Sequence, residues 1–262
     1  MPQSTKIIRI CAALIVICFV ITLQACDRNS DHPSKSKDGK KTDALNTKKV
    51  EREIRIILIK LTIITKLKLA AKRGDVEAQF KLGLIYGGLL FEDVEAVKWF
   101  RKAAEQGHME SQVMLGYQYL TGKGLLEDNT EAVKWFTKAA EQGSADAQYA
   151  LGDRYMRGEG VAQDKAEAVK WYRKAAEQGH LRSQTTLGAI YIKAKDETEA
   201  VTWYRKAAEQ GSAEAQYNLG TIFRDIVRDE DEAMKWFTKA AEQRGNSIIN
   251  RRAIQALENM KK

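Results

Sequence analysis

The sequence predicts an all-α chain built as an array of helix pairs, and three observations lead there. A thirteen-residue stretch recurs almost unchanged: EAVKWFRKAAEQG at 95–107, EAVKWFTKAAEQG at 131–143, EAVKWYRKAAEQG at 167–179 and EAVTWYRKAAEQG at 199–211, with EAMKWFTKAAEQRG at 232–245 as a fifth copy lengthened by one residue. Two independent markers keep nearly one period. Trp99, Trp135, Trp171, Trp203 and Trp236 are spaced by 36, 36, 32 and 33 residues, and the Leu-Gly pairs at 82, 115, 151, 187 and 219 by 33, 36, 36 and 32. Such periods signal a repeat array. Finally, the 262 residues contain only two prolines, Pro2 and Pro33, both ahead of the repeats. With so few helix breakers, helices throughout are the natural expectation.

The front of the chain is a separate matter. Lys6 and Arg9 form a basic start, Ile10 to Thr22 an apolar run, and Leu23-Gln24-Ala25-Cys26 sets a small residue just before a cysteine. This is the layout of a signal peptide over 1–25. Ile10 to Ala25 is 16 residues, short of the ~20 that span a bilayer as a helix. The ending resembles the lipobox of bacterial lipoproteins, in which the cysteine is acylated and becomes the first residue. That resemblance implies lipid attachment at Cys26 and a membrane-held, periplasm-facing location in the cell envelope, without choosing between the inner and outer membrane. Cysteine usage fits. Cys11 and Cys18 would leave with the signal peptide, so Cys26 alone would remain, with no partner for a disulfide. Residues 26–49 follow as a polar tether. Positions 27–49 hold seven Lys/Arg and four Asp/Glu with almost no apolar residue, a composition too polar to fold by itself. The formal charge of +8 includes Lys6 and Arg9, and both signs are interspersed. There is no basic patch with interleaved aromatics, and nucleic acid is not an expected partner.

An N-terminal capping helix is expected over 50–74, although its isoleucine density also suits a strand. Five helix pairs follow over 75–245, and a closing amphipathic helix over 246–262. Within a pair, the first helix carries Ala-Gln-x-x-Leu-Gly-x-x-Tyr, as in Ala147, Gln148, Leu151, Gly152 and Tyr155. Leu, Gly and Tyr at these offsets form one stripe. A mid-helix glycine costs about 1 kcal/mol against alanine, so its recurrence predicts close approach of another helix backbone. The second helix buries Ala168, Trp171, Tyr172, Ala175 and Ala176, at i, i+3, i+4, i+7 and i+8. Asp128-x-x-Glu131, Asp164-x-x-Glu167, Asp196-x-x-Glu199 and Asp229-x-x-Glu232 have capping-box spacing. Gly107, Gly143, Gly179 and Gly211 suit left-handed C-caps. The carboxylates are therefore expected to cap, the tryptophans to fill core, and Lys170, Arg173 and Lys174 to face water near the helix C-terminus.

These motifs resemble the Sel1-like repeat family, a relative of the tetratricopeptide repeats, over about residues 70–245. The resemblance implies a right-handed α-solenoid with first helices lining a concave face and second helices outside. Repeats two and three carry the longer connections TGKG (121–124) and RGEG (157–160), and repeat five has Phe223 at the tyrosine position. These differences are expected to tune curvature. One branch of the family is cysteine-rich and binds β-lactams, but this chain lacks those cysteines and nothing of that activity carries over.

Little in the sequence points to catalysis. His108 and His180 each follow a C-cap glycine, where other repeats place Asp75, Ser144 and Ser212. They are expected to act as N-caps rather than as metal ligands or bases. The sequence holds no Gly-rich phosphate loop, no His-x-x-x-His pair and no Gly-x-Ser-x-Gly elbow. The expectation is a non-enzymatic protein with no metal and no cofactor. What varies is one face of the first helices, concave by analogy with the family. It contributes Phe80 in repeat one, Glu110 and Tyr117 in repeat two, and Tyr149, Asp153 and Met156 in repeat three. Repeat four contributes Arg182, and repeat five Tyr217 and Arg224. Aromatic, methionine and arginine side chains amid carboxylates suit a protein-binding groove. Some of them are equally suited to packing between neighbouring repeats. The expected partner is another protein. It could be a secreted antibacterial effector such as a lipase, which this chain would neutralise as an immunity protein, or a component of an envelope assembly or signalling scaffold.

Overall fold

A computed structural model describes residues 52, 55, 58–59, 61–243 and 248–260. The expected signal peptide, Cys26 and the tether lie outside the described residues. The chain divides into two compact units, Met1–Ile63 and Ile64–Lys262. In the first, the described residues are helical, and the Thr62 hydroxyl donates to the Leu58 carbonyl at 2.8 Å.

The second unit is an α-solenoid, and its described residues contain no strand. Residues 64–72 form α1. The five pairs are α2 (Val76–Leu84) with α3 (Asp93–Glu105), α4 (Met109–Thr121) with α5 (Asn129–Glu141), α6 (Ala145–Arg157) with α7 (Lys165–Glu177), α8 (Leu181–Lys193) with α9 (Glu197–Glu209), and α10 (Ala213–Ile222) with α11 (Glu230–Glu242). α12 (Ile248–Met260) closes the array. From α2 on, each helix packs on the next along the chain. The core is therefore a continuous stripe of Ala, Leu, Trp and Phe/Tyr, divided into local clusters.

Most helix ends in the array are chemically marked, the N-terminus of α3 being an exception in that Glu92 makes no side-chain cap. Asp75, His108, Ser144, His180 and Ser212 cap the first helices through their side chains. Asp128, Asp164, Asp196 and Asp229 accept from the amides of Glu131, Glu167, Glu199 and Glu232 at 2.9 to 3.1 Å. The other half of the expected capping box is not made. The carboxylates of Glu131, Glu167 and Glu232 bind Lys134, Lys170 and Lys235 one turn on, and those of Glu199 and Glu232 accept from the indoles of Trp203 and Trp236. The amides of Asp128, Asp164, Asp196 and Asp229 already donate to the carbonyls of Tyr119, Tyr155, Tyr191 and Phe223 at 2.9 to 3.0 Å, so the glutamates have no free cap amide to reach. At the C-termini, Gly107, Gly143, Gly179 and Gly211 have φ between 88° and 100°. The next residue then reaches back five positions, as when the His108 amide donates to the Ala103 carbonyl at 3.1 Å.

The mid-helix glycines answer to a different neighbour from the one expected. No helix backbone is the nearest group to them. A Cβ on Gly116 would sit 2.6 Å from the Phe136 ring, on Gly152 2.7 Å from Tyr172, and on Gly188 2.7 Å from Tyr204. Each missing Cβ makes room for the ring that follows the tryptophan of the same repeat. Those rings, and not the indoles, fill the deepest positions, with Tyr172, Phe136 and Phe237 almost fully enclosed.

A buried glutamine ladder, to which the sequence reading assigned no role, runs through the repeats. Gln112 donates to the Ala104 carbonyl in the preceding second helix at 3.1 Å and accepts from Gln142 of its own repeat at 2.7 Å. Gln79, Gln148, Gln184 and Gln216 repeat the pattern. In α12, Asn250 takes the same position and donates to the Gln243 carbonyl at 2.6 Å. Buried polar side chains need such partners, and here each of the five glutamines ties three successive helices together.

The connections between the two helices of a pair diverge. Gly124 and Gly160 in the long loops lie against the backbone of Asp93 and Asn129, the first residues of the preceding second helices, where a side chain would collide. The long loops thus clip each repeat to the one before it. Repeats one and five have short connections, and their first helices end in wide π turns, Ile85–Leu89 and Phe223–Val227. The short loops place Phe91, Lys195 and Arg228 in the left-handed region, which is strained for side chains of that size.

Candidate functional site

The first-helix face rests on a layer of aromatic rings. Phe80 packs on Phe100 and on His108, Tyr117 meets Phe136 edge-on, Tyr149 lies against Tyr172 and His180, and Tyr217 against Phe237. Four of the expected site residues thus sit on rings placed by the glycine rule.

Between α6, α8 and α10 this face opens into a cleft of about 650 Å³. Tyr149, Asp153 and Met156 of α6 line one side, and Arg182 lies at the N-terminal end of α8. These four are the expected residues that the fold brings together. The floor is Thr185, Thr186 and Ala189 of α8. At the positions of Thr185 and Ala189, repeat three has Tyr149 and Asp153, and repeat one has Phe80 and Leu84. The cleft exists because repeat four is built with small side chains there. The sequence reading missed Arg157 and Lys193, which also line it. Arg157 lies one turn beyond Asp153, a position expected on this face, and Lys193 holds the equivalent place at the end of α8.

The remaining expected residues lie elsewhere. Phe80 is half-buried, Glu110 is exposed with its carboxylate 3.6 Å from His108 Nδ1, and Tyr117 is exposed. Tyr217 is half-buried among the core residues of repeat five. Arg224 sits in the second π turn, tied to Asp225 by bonds of 2.6 and 2.9 Å.

Charge on the cleft is partly committed. Tyr172 donates to Asp153 Oδ1 at 2.6 Å. Burial, then that bond, pushes the tyrosine well above its ordinary range, so it stays a donor. Tyr117, partly desolvated where its ring rests on Phe136, is raised by that and then by the charge of Asp146. Tyr204, beneath Gly188, is pushed up to about 12 by burial and then by Glu214. His180 Nδ1 accepts from the Ser183 amide at 3.2 Å while Nε2 faces Asp146 at 3.3 Å. Burial lowers its pKa against the opposing pull of Asp146. Ser183 is fully buried behind it. This Ser–His–Asp contact is a cap and not a nucleophile, since no substrate could reach the hydroxyl. Arg173, expected to face water, instead donates to the Tyr191 hydroxyl of the next repeat at 2.5 Å, and Lys174 lies over Trp171 at 3.9 Å. Lys170 is exposed. Among the described residues no cluster of His, Cys, Asp or Glu could hold a metal, and no helix is long and apolar enough to cross a membrane.

Five stretches of the chain, 76–108, 110–144, 145–180, 188–212 and 213–244, match the family described as Sel1 repeat. Among solved structures, c5321 of uropathogenic Escherichia coli, described as a protective antigen displaying an SLR fold, is 39% identical. The match covers 68% of this chain and 40% of that one, with a TM-score of 0.65. A Sel1 repeat protein from Oxalobacter formigenes is 33% identical over 74% of this chain and 58% of its own, with a TM-score of 0.64. This chain therefore spans well under two thirds of either relative. An immunity protein from Pseudomonas aeruginosa, Pa5087, matches at 20% identity over 71% of this chain and 81% of its own, with a TM-score of 0.45, a likeness too loose to inform function. No curated protein matches by sequence.

Proposed function

The chain is a member of the Sel1 repeat family, and from that premise we propose that it is a non-enzymatic, lipid-anchored interaction module of the bacterial cell envelope, holding a partner protein against its first-helix face. One observation carries the binding reading. The second helices are near copies whose residues cap, pack or pair within the chain, whereas the first helices differ from repeat to repeat and open a cleft across three of them. Variation on one face of an otherwise repeated scaffold is what recognition of a particular partner requires. The anchor rests on Cys26 after Leu23-Gln24-Ala25. Neutralising a secreted effector such as a lipase and holding an envelope assembly together differ only in the partner.

A photo-crosslinking residue introduced in the full chain at Tyr117 or Thr185, on the first-helix face, should capture a protein in intact cells. The same residue at Lys170, on a second helix, should not. Equal capture from all three positions, or none from any, would overturn the groove reading. The captured protein, identified by mass, separates effector from envelope component. Cys26→Ser should abolish palmitate labelling and membrane retention, and label that persists would remove the anchor.

A further inference from the structure

The cleft between α6, α8 and α10 is polarised in a way the rest of the first-helix face is not. At the second position of the first helix, repeats one, two, three and five carry Glu77, Glu110, Asp146 and Glu214, whereas repeat four carries Arg182. Arg182 thus stands between two carboxylate positions of neighbouring repeats. At the other end of the cleft lie Arg157 and Lys193, in or just after the last turns of α6 and α8, both exposed. The ion pairs within 4 Å among the described residues do not include Arg157, Arg182 or Lys193. Of the two carboxylates lining the cleft, Asp153 is already engaged by Tyr172. Between the charged ends the floor is small-sided and mixed, Thr185, Thr186 and Ala189, with Ile190 and Met156 adding apolar surface beside it.

The length fits a peptide. Arg182 and Lys193 are eleven residues apart on one helix, about 16 Å at 1.5 Å per residue, which matches roughly five residues of extended chain at about 3.3 Å each. Met156 and Tyr149 offer a polarisable, adaptable surface to an apolar side chain. Free guanidinium and ammonium groups at one end offer charge-assisted bonds to carboxylates. A nucleic-acid backbone would want cations in a continuous row, and Asp153 and Glu214 interrupt any such row here.

We propose that this cleft binds an extended, acidic segment of the partner, with its carboxylates at the Arg157 and Lys193 end and an apolar side chain over Ala189. The proposal rests on the groove reading above and names the chemistry of what the groove holds. The fold sets the specificity by withdrawing side chains from repeat four and reversing the charge at its second position.

The test pans random peptides, displayed on phage, against the full chain, the double variant Arg157→Glu/Lys193→Glu, and Ala189→Trp. The wild-type chain should enrich segments that combine Asp or Glu with an apolar residue. The double variant, changed only at exposed positions, should bind those peptides at least about tenfold more weakly, the loss of one or two charge-assisted contacts. It should select Lys or Arg in place of the acids. Ala189→Trp should lose both sets, with an unchanged helical circular-dichroism spectrum showing that it folds. No enrichment, enrichment without acidic residues, or acidic peptides indifferent to the double reversal would each overturn the proposal. So would binding of a single-stranded oligonucleotide in place of the peptides. If the crosslinker at Tyr117 captures the partner while Thr185 does not, the cleft proposal falls and the groove reading stands. If neither position captures it, the groove reading falls as well.

Discussion

Set the second helices of repeats two and three beside the first helices of repeats three and four. EAVKWFTKAAE of α5 and EAVKWYRKAAE of α7 differ at two positions, and both helices keep the aspartate cap, the Glu–Lys pair one turn on and the buried ring. In α6 and α8 the buried stripe is equally fixed, with Gln148 and Gln184 in the ladder and Gly152 and Gly188 under their rings. Their outward positions nevertheless disagree almost completely: Asp146, Tyr149 and Asp153 against Arg182, Thr185 and Ala189. Positions that every neighbouring repeat must pack against cannot drift independently. Positions facing the cleft answer to fewer neighbours, Tyr149 and Asp153 to the ring of Tyr172 within their own repeat, while Arg182 is exposed, and they are freer to specify a partner.

If that division is right, substitutions on the shared side should damage the fold and those on the variable side should spare it. Phe136→Ala empties the ring site under Gly116, where the side chain is fully buried, and should cost about 3–5 kcal/mol in denaturant unfolding. A loss under about 1 kcal/mol would mean the ring is not part of the repeat core. Gly116→Val brings bulk to within 2.6 Å of that ring and should cost about 1–3 kcal/mol by overpacking, in addition to any change in helix propensity. Gln148→Leu removes the link between Ala140 and Gln178 and should cost about 1–3 kcal/mol through the polar groups it leaves buried and unsatisfied. Stability unchanged within error would make the ladder incidental.

His180 sharpens the comparison through pH. Its neutral form caps α8, and burial holds its pKa below the ordinary 6.5. Between the folded and the ordinary value the unfolded chain binds more protons, so stability should rise with pH through that window and fall as pH drops. Protonation also converts Nδ1 from acceptor to donor and abolishes the cap. His180→Asn keeps an acceptor at the N-cap and should flatten the slope, seen as a smaller change of melting temperature between pH 7 and pH 5. The smallest expected effect is that of Arg182→Glu, which restores the acidic residue of the other repeats at an exposed position. Stability should stay within about 0.5 kcal/mol, while binding of acidic peptides weakens.

The sequence by itself determined the period, the two helices of each repeat, their N-caps and C-caps, and the inward stripe. Each of these is a local rule read at spacings of three and four residues, stated five times over. Only the tertiary structure decided which group each glycine faces, that the capping-box glutamates turn to lysine or tryptophan, and that the glutamines join three helices. Those outcomes depend on which of several nearby partners lies closest in space. The same holds for the cleft. Tyr149, Asp153, Met156 and Arg182 were legible as outward positions of separate helices, but Arg157 and Lys193 became part of the site only when α6, α8 and α10 were set side by side. Periodicity along one helix specifies a direction, and the stacking of helices specifies which directions converge.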